Sequence, residues 1–413
     1  MFSSGKFAWL TLGMYTAIVL LPGLFLEATI IPQEYLHTAM IACLLFILGV
    51  WTGAILFPFK TPRELHVESS AMGRGLAWTV SLQVILAIYV FGAGPTSPLI
   101  AGLSTEDGLE IAMLREEAVK LNADPIFVIV YSWARDVFSP IAFVLGVQIL
   151  RFPSSRGYKQ LAWVGILVGA ALGLWSGQKA TVVNYLLAAI VFSTASSWSM
   201  VRQLIKVVPL LVLAVIAIFA ATLPQIFSRD LDALGVTDVL LEAVIHRVLL
   251  GPLELAAAYI YSVDVGHIIS RYDVLPLATG LWTPGIGSVE NRIGLEFFYS
   301  GIDSISANGL AFAYAFVLAG FVGCFLGGVL TVGVYKGCSW FVHSSRSIYM
   351  SAAYGALLSY HALDLLNGNY LSYLILAIKN AVIFWLIGSF VVNPARAGKA
   401  PPSSIESAGH AAS

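Results

Sequence analysis

Charge is what this sequence has least of. Asp, Glu, Lys and Arg make up 11% of its 413 residues, against about 25% in an ordinary soluble domain. A soluble globule cannot cover its surface with so few, so that class is excluded. Cysteine is scarce too. Cys43, Cys324 and Cys338 fall in apolar segments or on the side placed below as cytoplasmic, and they imply no disulfide framework. Nucleophile triads and HExxH, CxxC and Walker patterns are missing. Nothing suggests a protein-held metal or a cofactor, and there is no internal repeat. With a net charge of −1, the chain has no overall basic field to hold a nucleic acid.

What is abundant is apolar. The hydrophobic share is 58% and the mean hydropathy is +0.85. Windows of about 20 apolar residues, the length that crosses a bilayer, fall at 7–26, 36–57, 75–94, 126–150, 161–176, 180–198, 207–227, 310–335, 347–366 and 371–392. The expectation is an all-α, polytopic transmembrane helical bundle of about ten spans with a large, partly helical outer loop. The first window lacks a small-residue cleavage site followed by a soluble domain, so it reads as a retained helix.

Lys and Arg in the connections set the orientation. With the N-terminus inside, 13 of the 22 cations lie in short inner loops and 7 in the much longer outer ones. The acids do the reverse: only Glu64, Glu68 and Glu406 fall inside, while 18 of 23 fall outside. Both termini are therefore expected to be cytoplasmic. The parts are a transmembrane bundle over 1–227 with an outer loop at 94–125, a large outer loop over 228–309, transmembrane helices over 310–392 and a disordered tail over 393–413. "TEDGLEIAMLREEAVK" in the first outer loop predicts a capped surface helix. "VTDVLLEAVIHRVLLGPLELAAAYIYSVDVG" in the second predicts one or two helices at the membrane surface, broken near Gly251–Pro252.

Three constellations carry chemistry. The first is buried charge. Arg135 and Asp136 sit inside the fourth window, adjacent and so about 100° apart on a helix, facing different neighbours. His361, Asp364, Lys379 and Lys179 share their outer depth. Ionisable residues within spans are functional by default, and here they suggest an outward-opening cavity in which Arg135, Lys179 and Lys379 hold an anionic head group. The bland alternative is interhelical pairing, Asp136 with Lys379 or Arg135 with Asp364. The second constellation is the large loop, with Glu242, His246, Arg247, Glu254, Asp264, His267, Arg271, Asp273, Glu290, Arg292, Glu296 and Asp303. Arginine suits bidentate capture of phosphate, and an acid or His suits a general base on a hydroxyl; solvated surface charge explains most of the set equally well. The third is Ser304–Leu330, whose Gly309, Gly320, Gly323, Gly327 and Gly328 allow close helix packing behind a polar lip of Asp303, Ser304, Ser306 and Asn308.

On three of its segments the chain resembles the Wzy-type polymerases that extend O-antigens and related bacterial glycans. They are "SGQKA" (Ser176–Ala180), "HRVLLGPLELAAAYIY" with Arg247, Pro252 and Tyr259, and "DSISANGLAFAYAFVLAGFVG". The many spans and single dominant outer loop match as well. The resemblance implies a multi-pass protein of the bacterial inner membrane, acting at the periplasmic face without a metal. It would move a growing glycan from undecaprenyl pyrophosphate to the next undecaprenyl-linked repeat unit, with a chain-length regulator as a further partner. Arg135, Lys179, Arg271 and Arg292 are then expected to bind pyrophosphate, and Glu296, Glu290 and Arg247 to be catalytic. O-antigen ligases share a related layout, and a transporter or flippase of lipid-linked oligosaccharide would place Arg135, Asp136 and Lys379 on a pathway. Both stay open.

Overall fold

The computed structural model describes residues 3–25, 30–57, 69–100, 124–206, 251–274, 289–297 and 309–391, apart from internal gaps of three residues or fewer. Among them every regular element is helical, as a lipid-embedded backbone requires when it has no closed barrel to satisfy its N–H and C=O groups. In chain order the helices are α1 (Ser4–Phe25), α2 (Gln33–Leu56), α3 (Ser69–Ala93), α4 (Pro125–Arg151), α5 (Arg156–Leu174), α6 (Lys179–Ser193), α7 (Gly251–Asp264), α8 (Val289–Phe297), α9 (Ala311–Ser344), α10 (Ile348–Leu366) and α11 (Tyr370–Leu386).

Seven of these are long and apolar enough to cross a membrane: α1 to α5, α9 and α11. The expected window at 207–227 lies outside the described residues. α6 has only 15 residues, and α10 carries Ser, Tyr, His and Asp along its 19. The described residues thus carry seven such helices rather than ten. The helix expected at 105–120, the lip at 303–308 and the tail at 393–413 also lie outside them.

The closest packing joins α2 to α9. A Cβ on Gly49 would meet the Phe325 carbonyl, and one on Gly328 would meet the Phe46 carbonyl, so only glycine lets the two backbones approach this far. Gly320 does something else. It adopts φ 62 and ψ −148 beside a non-helical Ala319, and nothing lies within 4 Å of where its Cβ would stand. It therefore breaks α9 into a short piece, 311–318, and a long one, 321–344.

Contacts tie matching ends of the bundle together. Trp9 meets both Trp51 and Trp198, Tyr349 hydrogen-bonds Thr79, and toward the opposite end Ser97 Oγ donates to the Trp175 carbonyl at 2.7 Å. Lys6, one of the cations counted on the inner side, is 2% exposed. Its Nζ donates to the Val191 carbonyl at 3.1 Å, in the last turn of α6, where the helix dipole favours a cation. α7 begins at Gly251, where the sequence predicted a helix break. Leu253, Ala256, Ala257, Ala258, Tyr259 and Ile260 are buried because α7 packs against α2 and α9.

Candidate functional site

An inner polar centre forms on α4, which winds as a π turn over Ala134–Phe138, a local widening that occurs mostly as single turns and is frequent at functional sites. Nε and Nη2 of Arg135 donate to Oδ1 and Oδ2 of Asp136 at 2.7 and 2.9 Å. Neighbours expected to face apart are thus forked together, since the guanidinium stem is long enough to fold back onto the next residue. The guanidinium lies 5.1 Å from the Tyr131 ring centroid. Tyr185 donates to the Arg135 carbonyl at 2.5 Å, and Tyr360 donates to Asp136 Oδ1 at 3.3 Å.

Further along α10, Asp364 accepts from Asn184 Nδ2 at 3.2 Å. Its Oδ2 lies 3.8 Å from His361 Nδ1. His361 is 2% exposed, and neither ring nitrogen has a hydrogen-bond partner among the described residues. Lys179 opens α6, while Lys379 is exposed on α11. Neither expected interhelical pair forms: Asp136 takes Arg135, and Asp364 takes Asn184 and His361. Asp136 therefore neutralises Arg135, and an arriving anion must compete with that carboxylate.

The second centre lies where α7 ends. A cleft of about 410 Å³ is lined by Val263, Asp264, Ile269, Ser270, Arg271, Phe316 and Gly320, so it opens at the break in α9. Tyr35, at the start of α2, donates to Asp264 Oδ2 at 3.1 Å. The lip of the cleft is held by Arg292 on α8, whose Nη2 lies 2.9 Å from Asp273 Oδ2 and whose Nη1 donates to the Ile268 carbonyl at 3.2 Å. Ser270 N–H donates to the same Asp273 oxygen at 2.8 Å. Burial alone would raise the Asp273 carboxyl pKa; the Ser270 N–H and the Arg292 guanidinium outweigh it and hold it below the usual carboxylate range.

The expected residues therefore take different places. Arg271 lines the cleft. Arg292 supports it from behind, through the turn that carries Ser270 and Arg271. Glu290 accepts from Tyr314 at 2.8 Å, and Tyr314 also hydrogen-bonds Tyr259 at 3.0 Å, so this carboxylate is tied to a buried tyrosine pair. Glu296 is exposed on α8 and is not part of the cleft lining. Arg247, Glu242, His246, His267 and Asp303 lie outside the described residues. Asp264 was one acid among many in the loop, with no spacing to mark it. Tyr35 gave a weak signal, a tyrosine at the outer mouth of a span. No protein-family model matches the chain and no curated protein matches it, so the family resemblance rests on the three quoted segments and the span layout.

Proposed function

We propose that this protein is a glycosyltransferase of the bacterial inner membrane that polymerises lipid-linked oligosaccharide repeat units at the periplasmic face. In this reading the chain crosses the membrane about ten times with both termini cytoplasmic. It transfers the growing glycan from undecaprenyl pyrophosphate to the next undecaprenyl-linked unit, and a chain-length regulator is a further partner.

One observation carries the reading. Where α7 ends, a cleft brings a guanidinium, Arg271, and a carboxylate, Asp264, to a wall that includes Val263, Ile269 and Phe316. The helix leading away from it presents Val322 and Leu326 outward, 65% and 55% exposed. A polar mouth beside an apolar flank suits an amphiphile with a charged head and a long hydrocarbon tail. Fixed cations facing the pyrophosphate would stabilise the charge that develops as it leaves, the kind of interaction that contributes about 3–4 kcal/mol per group in enzymes. Arg271 would take that part; the resemblance adds Arg247, Lys179, Arg135 and Arg292 as further cations and Glu290 and Glu296 as acids.

A transport reading also has specific observations behind it, the break in α9 and the charged pair inside α4. Transporters, however, pair such breaks across repeated halves, and the sequence has no repeat. Deleting the gene and resolving the surface glycan by size tests the assignment. Loss of polymerase activity leaves single repeat units on their lipid. Long chains stranded on undecaprenyl pyrophosphate would indicate a ligase, and no surface repeat at all a flippase.

A further inference from the structure

We propose that Asp264, positioned by Tyr35, is the carboxylate that takes the proton from the acceptor sugar hydroxyl, an assignment that rests on the glycosyl-transfer reading. The acids described in this region are distinguished by what already holds them. Glu254 is 2% exposed and accepts from the backbone N–H of Ile30. Asp273 is held by Ser270 and Arg292. Glu290 is held by Tyr314, and Glu296 stands outside the cleft. Asp264 alone among them lines it.

Its geometry fits the task. Tyr35 hydrogen-bonds Oδ2 and fixes the orientation of the carboxylate; among the described residues Oδ1 has no hydrogen-bond partner shown, so it is the oxygen offered to a substrate hydroxyl. Arg271 lines the same volume, and no ion pair joins the two among the described residues, so the cation remains available to a phosphate. Asp264 is also the last residue of α7, the negative end of the helix dipole, where a carboxylate is electrostatically disfavoured. The break at Gly320 removes the helical turn that would otherwise continue along this wall.

In the step assigned here, the acceptor hydroxyl gives its proton to Asp264 Oδ1 while its oxygen forms a bond to the anomeric carbon of the donor glycan. The bond from that carbon to the pyrophosphate oxygen breaks. Its electron pair leaves with the pyrophosphate, whose added charge Arg271 meets. Asp264 touches the reacting atoms and is catalytic; Tyr35 acts through it.

The test uses the full chain purified into liposomes, with lipid-linked repeat units extracted from the host's membranes as substrate and undecaprenyl pyrophosphate as the binding probe. D264N is expected to lower kcat by about 10²- to 10⁴-fold, the usual contribution of a general base, while the probe binds as in the wild type. Y35F should lower kcat by about 10- to 100-fold through misplacement, with KM unchanged. D264E should recover part of the loss. Wild-type kcat in D264N overturns the assignment and leaves the glycosyl-transfer reading standing. If D264N does not insert, Y35F decides, and an unchanged kcat there overturns it equally. A wild-type chain that makes no polymer removes the reading and the assignment together.

Discussion

Replacing Asp136 by alanine leaves Arg135 without the carboxylate that both of its donating nitrogens use. The two side chains are 20% and 28% exposed, so the pair is mostly but not wholly out of solvent. Breaking a fully buried pair costs about 3–5 kcal/mol; the residual exposure places Asp136→Ala at the lower end, about 3 kcal/mol. At roughly 2 °C per kcal/mol for a large chain, the thermal midpoint in detergent micelles should fall by about 6 °C. Arg135→Ala should cost a similar amount, because among the described residues it leaves Asp136 with Tyr360 alone. The double replacement should cost less than the sum, with a coupling of about 1–3 kcal/mol. The assay is the midpoint of heat-induced loss of the monodisperse peak, measured for all four proteins of the cycle. Strict additivity would refute the fork as the organising contact of this centre. An Asp136→Ala protein as stable as wild type would do the same.

Other outcomes follow from particular contacts. Gly49→Leu should prevent α2 from seating on α9, because its side chain meets backbone rather than a movable side chain; the readout is loss of monodisperse protein after extraction. Gly320→Ala should cost about 1–3 kcal/mol, since this backbone conformation is nearly confined to glycine, and thermal midpoints against wild type measure it. Asp273 has a depressed folded pKa. Its contribution to holding the 268–274 turn is present above the unfolded value of about 3.9 and is lost as pH falls through the folded value below that. Amide exchange across this turn should therefore speed up only under acid conditions, and Arg292→Gln should shift that loss to higher pH.

The helical architecture was legible because a bilayer leaves so few options: runs of about 20 apolar residues have one plausible backbone. The close approach of α9 to another helix could be read in the Gly327–Gly328 pair for the same reason, since small residues are what such contacts need. Gly320 could not be separated from them, because a glycine that permits packing and one that permits a positive φ are the same letter. Arg135 and Asp136 were found as costly charges, but ideal α geometry assigned them to different neighbours, and a side chain folding back onto the next residue leaves no mark in sequence. Lys6 looked like a topology signal and proved also to be a cap for α6, a partner 185 residues away that no local pattern encodes. In the loop, residue type picked out Arg271 and Arg292 together; only three-dimensional contacts separate the one that faces the cleft from the one that braces it.

The central claim is tested most directly by the purified protein in liposomes, supplied only with lipid-linked repeat units extracted from the host's membranes and followed by the length of the products. The account predicts a ladder of two, three and more repeat units, each still on undecaprenyl pyrophosphate, and its loss in Arg271→Ala. Repeat units that stay single, or that move only onto a lipid A core acceptor when one is added, would contradict it.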